Sequence, residues 1–557
     1  MPHPTNETLI DYWREQPAPL LPLLHALHDR DGYLSPEAMR AVAAGLKIPL
    51  ADLFGTITFY HHFGQSEADQ AAPRVCTGPV CRLRGGPELL AALQEQGAQP
   101  MPCAGRCDQP VPVLRGRQLL VGAEADSLLD HPSPLPPPNP GGLEECVFAA
   151  IRQPGRASLD GYRRGGGYSA LTQAVQGLTP AEVSEIITES GLTGRGGAGF
   201  PTGRKWQSVA EASGHPKTII GNADEGEPGC FKDRAIMDHD PHAVIEGMAL
   251  AAYAAGAERG FIYLRYEYPE TYLILEQALT EAERAGLLGP NIMGSHFTFR
   301  IYLRRGAGAY VCGEEGALLN SLEGKHPFPR NRPPYPVTHG FENLPTVVNN
   351  VETLASAPQI IRRGPAWYRG LGMNGQAGSK IISLSGDIQR PGNYEVPLGF
   401  PLQTLLYDWA GGPPAGRTIQ AVTMAGLSGG FLAGDDLAVN LDNASLAEKG
   451  TYLGAGGIIV FDDSRDMMTV AHQAMQFFAH ESCGKCFPCR LGSQRLTERL
   501  NGDGPDELTL WLDEVADIGQ TMRSLSACGL GTAAPLITDS LVRYFPTAVR
   551  ERVEGGS

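Results

Sequence analysis

The chain has 557 residues, of which 42% are hydrophobic and 19% charged, so it can bury several cores and wholesale disorder is excluded. Its formal net charge of −16 at pH 7 opposes binding to nucleic acid or to an anionic membrane surface. No apolar run approaches the roughly 18 residues of a membrane-spanning helix, and the first residues lack the order of a signal peptide, so we expect a cytoplasmic protein without direct membrane insertion.

The predicted elements divide the first part of the chain into three regions. Residues 1–70 carry apolar side chains at three-to-four spacing and predict an N-terminal helical region, in which Ser35 and Pro36 start a helix. Residues 71–130 predict a small mixed α/β unit, where a strand in RVCTGPVC leads into a cysteine loop. The proline-dense segment 131–142 predicts a semi-rigid extended linker.

The rest of the chain predicts three further regions. Residues 143–375 alternate helical stretches with short β-rich runs, which is typical of an α/β layered domain. Residues 376–465 predict a small β-rich fold with one helix, and residues 466–557 are helical again. The fold class is therefore a multi-domain α/β protein.

Eight of the eleven cysteines form two quartets, which suggests two metal centres. The quartets are Cys76, Cys81, Cys103 and Cys107, then Cys483, Cys486, Cys489 and Cys528. C-x2-C-x2-C with a distant fourth thiolate favours a [4Fe–4S] cluster, whereas two pairs separated by a helix-length segment suit a [2Fe–2S] cluster. Zinc stays the alternative for each quartet, and disulfides fit less well because nothing indicates export.

A glycine-rich loop at residues 191–206 contains G-x-G-x-x-G at Gly194, Gly196 and Gly199. A helical segment precedes it, so it fails the strand–loop–helix context of an ordinary dinucleotide fingerprint. Its backbone can still approach a flat ring or a phosphate, which predicts a nucleotide-like ligand, with a flexible surface loop as the alternative. The cations available for anionic groups are Arg195, Arg204 and Lys205.

Two acidic loops follow. Residues 221–234 come directly after a predicted strand, and residues 306–325 contain a glycine turn that opens a helix. Their polar side chains are Asn222, Asp224, Glu225, Glu227, Tyr310, Glu314 and Glu315. Such groups can accept hydrogen bonds from ribityl or ribose hydroxyls, although each acidic group alone also fits a solvated face or a helix cap.

These motifs occur in an order that resembles a known family. GRGGAGFPTGRKW, NADEGEPGCFKDR, GAGAYVCGEEGALLNSLEG, NRPPYP, TVVNNVET and ESCGKCFPCR closely resemble the FMN-containing NADH-oxidising subunit of respiratory complex I and its soluble relatives, from about residue 160 to 545. The part before the linker, with GYLSPEAM, FGTITFYHHF and the first quartet, resembles the thioredoxin-like [2Fe–2S] subunit of the same enzymes, here fused. SLSGDIQRPGNYEVPLG resembles the family's ubiquitin-like β-grasp insert, the SLBB domain.

The resemblance implies roles for particular residues. The FMN-binding residues would be Gly194, Gly196, Gly197, Lys205, Asn222, Asp224, Glu225, Tyr310, Gly313, Glu314, Asn349 and Asn350. Phe200 would lie against the nicotinamide ring of NAD(H), with Glu227 and Glu315 near the polar groups of the nucleotide, as the catalytic residues.

Some positions depart from the family pattern. Gln207 and Ser208 stand where an aromatic residue is expected after Trp206, and Arg332 and Tyr335 replace a lysine and a phenylalanine. Because of these departures, the resemblance does not assign the residues that contact the adenine end of NAD(H).

The resemblance also implies the function. FMN, a [4Fe–4S] cluster and a [2Fe–2S] cluster would pass electrons between NAD(H) and a partner, along the route from nicotinamide to FMN to the [4Fe–4S] cluster, with the [2Fe–2S] cluster as a relay or side store. The fused form suggests the beta subunit of an NAD-dependent formate dehydrogenase, whose large partner subunit holds a molybdenum or tungsten pterin centre. The alternatives are the diaphorase subunit of a soluble NAD-reducing hydrogenase, a fused complex I component, and a non-catalytic scaffold or zinc-dependent interaction module.

Overall fold

The structure is a computed structural model that describes residues 4–67 and 72–555. Its described part begins with four helices. They are α1 (Asn6–Arg14), α2 (Leu20–Asp31), α3 (Pro36–Leu46) and α4 (Leu50–Phe59). Helix α3 starts as the sequence predicts, because the hydroxyl of Ser35 accepts a hydrogen bond from the N–H of Ala38 at 3.1 Å.

A four-stranded sheet with two short helices follows. Its elements are β1 (Arg74–Cys76), α5 (Pro79–Arg82), α6 (Gly86–Ala92), β2 (Gln99–Met101), β3 (Pro112–Arg115) and β4 (Gln118–Val121). The strand order is β2-β1-β3-β4, in which β1 and β2 are parallel and the other pairs are antiparallel. Because parallel strands end at the same edge, the residues that follow β1 and β2 lie close together.

The proline-dense segment 131–142 contains no helix or strand. The guanidinium of Arg152 donates hydrogen bonds to the carbonyls of Pro136 and Pro137 at 3.0 and 2.6 Å. The segment therefore lies along the region that follows it.

A parallel sheet with order β7-β6-β5-β8 forms the centre of the molecule. Its strands are β5 (Thr218–Ala223), β6 (Arg259–Leu264), β7 (Arg300–Arg305) and β8 (Thr346–Asn350). The helices of this region are α7 (Leu159–Arg164), α8 (Ser169–Gly177), α9 (Pro180–Glu189), α10 (Thr202–Glu211), α11 (Lys232–His239), α12 (Pro241–Ala255), α13 (Pro269–Arg284), α14 (Glu315–Leu322), α15 (Pro336–His339), α16 (Val351–Arg363) and α17 (Pro365–Gly370).

Alternate residues of this sheet face two different helical layers. Ile219 and Ile262 pack in the core that contains α12 and α16, whereas Ile220 and Phe261 pack in the core that contains α1 to α4. Parallel sheets are normally covered on both faces. The N-terminal helices supply the second cover, so the regions before and after the linker share a hydrophobic core.

The last two regions are a β-rich unit and a helical bundle. The β-rich unit consists of β9 (Ser379–Gly386), β10 (Gly392–Pro397), a π-helix (Thr404–Trp409), β11 (Ile419–Thr423), β12 (Phe431–Ala433), α18 (Asn443–Glu448) and β13 (Gly457–Asp462), in sheet order β10-β9-β13-β11-β12. The bundle consists of α19 (Met467–Glu481), α20 (Phe487–Asn501), α21 (Leu508–Leu525), α22 (Gly529–Ala533), α23 (Leu536–Tyr544) and α24 (Pro546–Glu554). These elements confirm the predicted multi-domain α/β class. Among the described residues, no helix combines the length and apolarity needed to cross a bilayer.

Candidate functional site

The first cysteine quartet converges at the edge where β1 and β2 end. Cys76 is the last residue of β1, Cys81 lies in α5, and Cys103 and Cys107 follow β2. All four are buried free thiols, and the Sγ atoms of Cys103 and Cys107 are 3.6 Å apart. Two thiolates on one tetrahedral metal with bonds of ~2.3 Å lie about 3.8 Å apart. The separation therefore fits ligands of a shared metal centre.

The surroundings of this quartet favour one thiolate, that of Cys103, whereas hydrogen bonds to Cys103 and burial raise the pKa values of Cys76 and Cys107. The backbone N–H of Gly105 approaches Sγ of Cys103 at 3.5 Å. Hydrogen bonds from Cys107 and Cys76, together with the charge of Arg265, hold the pKa of Cys103 well below its usual value. Iron–sulfur clusters require thiolate ligands, so the donor set suits a [2Fe–2S] cluster.

The second quartet lies where α19, α20 and α22 meet. Cys483 follows α19, Cys486 directly precedes α20, Cys489 lies in the first turn of α20, and Cys528 directly precedes α22. Burial raises the pKa of Cys489 to about 12 and that of Cys528 to about 11, and the other thiols of the quartet add repulsion at Cys489. Four bare thiolates would therefore repel one another in this space, whereas cationic irons remove the repulsion.

The glycine-rich loop is a closed turn between α9 and α10. The N–H of Gly194 donates to the carbonyl of Phe200 at 2.9 Å. Gly197 and Gly199 have φ values of 128° and 65°, a region that favours glycine. A Cβ on Gly199 would meet no atom within 4 Å. As predicted, the loop follows a helix, and its backbone faces open space.

Two polar strand ends lie beside this loop. Strands β5 and β8 pair with Asn222 opposite Asn350. A Cβ on Gly196 would lie 3.0 Å from Cβ of Asn350, and Nδ2 of Asn222 donates to the carbonyl of Gly313 at 2.9 Å. The glycine-rich loop and both acidic loops therefore meet at the carboxyl edge of a parallel sheet, where α/β proteins bind nucleotides.

The start of α10 contributes one cation to this edge and one indole to the core. Nζ of Lys205 donates to the carbonyl of Val348 at 3.1 Å and lies 3.5 Å from Oε2 of Glu315. Nε1 of Trp206 donates to Oδ1 of Asn349 at 2.8 Å. The Asn349 side chain is thus buried against α10, whereas Lys205 stays half-buried and accessible from the edge.

Asp224 and Glu225 face different surroundings. The carboxylate of Glu225 accepts hydrogen bonds from the N–H groups of Asp233 and Arg234 at 3.0 and 3.2 Å, so it caps the first turn of α11. Burial raises its pKa to about 7. Asp224 lines a small cavity that it shares with Cys103, and burial raises its pKa to about 8. The flavin role of Glu225 stays a prediction.

Glu227 joins the second loop to the third loop and to the β-rich unit. The hydroxyl of Tyr310 donates to its Oε2 at 2.6 Å, and the N–H groups of Leu427 and Ser428 donate to its Oε1 at 2.7 and 3.1 Å. Burial raises the pKa of Glu227 to about 7, although these hydrogen bonds act in the opposite direction. The N–H of Tyr310 donates at 2.9 Å to Glu481, the last residue of α19 before the second quartet.

Glu314 and Glu315 share one cation. Arg332 lies 2.6 Å from Oε1 of Glu314 and 2.9 Å from Oε1 of Glu315. The other oxygen of Glu314 accepts from the N–H of Ala317 at 2.8 Å and caps α14. The arginine that replaces a lysine in this chain therefore binds both carboxylates at once.

Two aromatic rings in the segments that contribute to this site are exposed. Phe200 is 50% exposed, and Tyr335 is 54% exposed. Gln207 and Ser208 lie on the exposed face of α10, so the structure supplies no aromatic ring there. Phe200 is thus available to cover a planar ligand, as the resemblance implies.

The expectation that Arg195 is available for anionic groups is wrong. Its guanidinium is buried and donates to the hydroxyls of Thr193 and Tyr368 at 2.9 and 2.7 Å. The turn of the glycine-rich loop directs this side chain into the protein, where it packs beneath the loop. Arg204 remains exposed, and Lys205 remains half-buried.

The sequence did not indicate a buried charge group behind Asn350. Nδ2 of Asn350 donates to Asp233 at 2.6 Å, and Lys232 lies 2.6 Å from Asp233 and 3.1 Å from Glu352. Lys380 of β9 lies 2.5 Å from the same oxygen of Glu352. These four charged residues come from three separate parts of the chain, so no local pattern could have revealed the group.

The residues present fit the cofactors that the resemblance implies. The open space above the glycine-rich loop can accept a flat ring, and Lys205 supplies a positive charge for an anionic cofactor. The two converging quartets each supply four soft ligands for iron and sulfide.

Comparison with protein-family models gives three matches along the chain. They are a thioredoxin-like [2Fe–2S] ferredoxin at residues 6–114, the Nuo51 FMN-binding domain at residues 187–359, and the NADH-ubiquinone oxidoreductase-F iron–sulfur binding region at residues 469–552. These matches confirm the predicted cofactors FMN, [2Fe–2S] and [4Fe–4S], with NAD(H) as substrate.

Curated relatives and solved structures agree with these matches. The F 2 subunit of NADH-quinone oxidoreductase from Rhizobium meliloti (strain 1021) is 46% identical over 72% of this chain and 96% of its own length. The HndC subunit of an NADP-reducing hydrogenase from Solidesulfovibrio fructosivorans is 45% identical over 68% of this chain and 77% of its own. A chain of an NAD+-reducing [NiFe]-hydrogenase in the H2-reduced state has a TM-score of 0.80 at 30% identity, covering 96% of this chain and 92% of that one.

The three matched regions follow one another along the chain in the same order as the first quartet, the nucleotide-type site and the second quartet. The chain therefore belongs to the family of complex I-related NADH-oxidising flavoproteins, as an oxidoreductase subunit that fuses a thioredoxin-like [2Fe–2S] ferredoxin to FMN-binding and [4Fe–4S]-binding regions.

Proposed function

We propose that this chain is the beta subunit of an NAD-dependent formate dehydrogenase. It would exchange electrons between NAD(H) and a large partner subunit that interconverts formate and CO2 at a molybdenum or tungsten pterin centre. The observation that carries the NAD(H) side is the meeting of three loops at the carboxyl edge of the parallel sheet, next to both cysteine quartets. The assignment of the partner as a formate dehydrogenase subunit rests on the fused architecture and on the complete first quartet.

The NAD(H) contacts belong to the same proposal. Phe200 covers the nicotinamide ring, which its half-exposed position at the loop tip allows without disturbing the core. Glu227 and Glu315 accept hydrogen bonds from the hydroxyl and amide groups of the nucleotide. Glu315 lies between Lys205 and Arg332, so its carboxylate is held in place before the nucleotide arrives.

The flavin contacts are proposed from the same loops. The shell consists of Gly194, Gly196, Gly197, Lys205, Asn222, Asp224, Glu225, Tyr310, Gly313, Glu314, Asn349 and Asn350. When bound, FMN supplies the chemistry of accepting a hydride as an electron pair and releasing the electrons singly. The protein orients the two rings and excludes water, and the link from Asp233 to Asn350 keeps the Asn350 amide fixed.

An exposed apolar surface beside the second quartet supports docking of the partner. Phe487 is 66% exposed and directly follows Cys486, and Leu525 is 67% exposed three residues before Cys528. Helices α20 and α21 run antiparallel, with Gly492 packed against Met522, so both side chains lie at the same end of the bundle. Such apolar residues beside a redox centre are typical of a protein contact.

Two observations bear on the identity of the partner. The first quartet is complete, whereas the family resemblance implies that the equivalent domain of NAD-reducing hydrogenases often lacks the full set, which favours formate dehydrogenase. The similarity to an NAD+-reducing [NiFe]-hydrogenase chain over nearly the whole length favours a hydrogenase diaphorase as the second candidate. A fused complex I component is the third.

Purification of the complex from cells that produce it natively tests this proposal. Molybdenum or tungsten in the partner, together with formate-dependent NAD+ reduction, is the expected result. Nickel with H2-dependent NAD+ reduction would assign the chain to a hydrogenase instead. A colourless zinc protein without acid-released flavin would leave only the scaffold alternative. The proposal also assigns the complex to the cytoplasm, because all eleven cysteines are free thiols.

A further inference from the structure

The loop that carries Cys103 and Cys107 is held by the FMN-binding region. A Cβ on Gly105 would lie 2.1 Å from the hydroxyl of Tyr268, so this tyrosine packs directly on the loop. Asp108 accepts two hydrogen bonds from Arg234, at 2.9 and 2.8 Å. The position of these ligands therefore depends on side chains more than a hundred residues away.

Arg265 makes the most central of these contacts. It directly follows β6, and its side chain is 4% exposed. Nη2 donates to the carbonyl of Cys103 at 2.5 Å, and Nη1 donates to the carbonyl of Glu225. Glu267 accepts from Nε at 3.1 Å and lies 2.9 Å from Nη2. One guanidinium thus joins a [2Fe–2S] ligand loop to the second loop of the flavin site.

The charge of this group acts on the cluster because it is permanent and buried. An arginine stays protonated at every physiological pH, and charges interact strongly where water is excluded. Reduction of a [2Fe–2S] cluster adds one electron, so a nearby positive charge stabilises the reduced state and a nearby negative charge destabilises it.

We propose that Arg265 is a positioning residue that holds the Cys103 loop and raises the reduction potential of the [2Fe–2S] centre, and that Glu267 partly offsets this effect. The inference does not depend on the identity of the partner subunit. A residue next to the FMN-binding sheet would thus control the reduction potential of a cluster whose four ligands all lie before the linker.

Redox titration of the purified, fully loaded protein, followed by electron paramagnetic resonance, tests the proposal. In Glu267→Gln, which is nearly isosteric, the midpoint potential of the [2Fe–2S] signal shifts upward. In Arg265→Met the midpoint shifts downward. The midpoint of the [4Fe–4S] signal shifts less in both, because Arg265 donates directly to the carbonyl of the [2Fe–2S] ligand Cys103. Opposite shifts distinguish electrostatic control from a structural defect, which has no reason to reverse its sign.

Glu342→Gln provides the matched control. Glu342 pairs with Arg259 at 2.7 Å, at the other end of β6, roughly 20 Å away along the strand. Removal of this charge leaves both midpoints unchanged. If Arg265→Met loses its iron, the [2Fe–2S] midpoint of Glu267→Gln alone tests the proposal. An unchanged or lowered [2Fe–2S] midpoint in folded, loaded Glu267→Gln would overturn the proposal.

Discussion

The hydroxyl of Tyr310 donates a hydrogen bond of 2.6 Å to Oε2 of Glu227. The same tyrosine donates its backbone N–H to Glu481, at the end of the helix that leads to the second cysteine quartet. One residue therefore orients a predicted NAD(H) contact and joins it to the segment ahead of the [4Fe–4S] ligands. This arrangement makes the orientation of Glu227 testable without removing the carboxylate.

Tyr310→Phe removes the hydroxyl and leaves Glu227 with two backbone donors. A hydrogen bond to a charged group contributes about 1.5–3 kcal/mol. We expect kcat/KM for NADH to fall about 10- to 100-fold in a dye-reduction assay. Flavin content should fall much less, because Tyr310→Phe keeps the ring and the backbone that Tyr310 contributes to the proposed flavin shell. Tyr452→Phe is the control, because its hydroxyl donates at 2.9 Å to the carbonyl of Ser428 and not to Glu227. Equal losses in the two variants would contradict the role of the Tyr310 hydroxyl.

Phe200→Ala removes the exposed ring at the tip of the glycine-rich loop. Stacking of a base on an aromatic side chain contributes about 1–3 kcal/mol, so KM for NADH should rise about 5- to 100-fold. Thermal stability and acid-released flavin should change little, because half of the ring is already in solvent. Phe200→Tyr keeps the ring and should retain the affinity. A parallel loss of flavin in Phe200→Ala would show that the ring serves FMN instead.

Cys528→Ser separates the second cluster from the flavin site. The residue directly precedes α22 and is not among the proposed flavin contacts, so the [4Fe–4S] signal should disappear while flavin content is kept. Cys146→Ala is the control, since this buried cysteine belongs to neither quartet. Iron analysis and low-temperature paramagnetic resonance give the result. Retention of the [4Fe–4S] signal in Cys528→Ser would reject the proposed ligand set.

Local features of the fold were predictable from the sequence, and the packing between regions was not. The cap at Ser35 and the helix that starts at Met467 follow from side chains within a few residues. The covering of the second face of the sheet by α1 to α4 depends on contacts such as that between Tyr60 and Ser321, which are 261 residues apart. No periodicity within either segment encodes such a contact.

In the candidate site, too, local motifs were predictable from the sequence and contacts between distant segments were not. The cysteine quartets have a diagnostic spacing, and the structure brings each of them together. The inward position of Arg195 is set by Tyr368, 173 residues later, so a cation next to glycines was misread as an anion ligand. Arg265 and Lys380 have no motif, because their roles come from a carbonyl or carboxylate on another element.

Glu227 should make the stability of the chain depend on pH. Burial raises its pKa to about 7 in the folded state, compared with an ordinary value of 4.5. Between these values the folded state binds a proton that the unfolded state lacks, so the free energy of unfolding falls as pH rises. Calorimetry between pH 5.5 and 7.5 should give a shallower decline of Tm for Glu227→Gln than for the natural chain. The exposed Glu211→Gln should retain the natural slope.

The exposed pair Phe487 and Leu525 should bind the partner subunit. The double substitution Phe487→Ser and Leu525→Ser removes apolar area that is already in contact with water, so the folded chain should lose little stability. Burial of these side chains at an interface contributes about 1.5–3 kcal/mol each, and the complex should therefore dissociate at least 10-fold more readily. NADH-dependent dye reduction by the isolated chain should change little, because neither side chain belongs to the proposed NAD(H) or flavin contacts.

Formate-dependent or H2-dependent NAD+ reduction, whichever the natural complex performs, should fall together with the amount of bound partner. The control is Leu50→Ser with Phe54→Ser on α4, a similarly exposed apolar pair at the N-terminal helices. If this control weakens the complex and the Phe487 pair does not, the partner docks on the N-terminal helices. The second quartet would then need another route to its electron acceptor, since the surface beside Cys486 and Cys528 would stay in water.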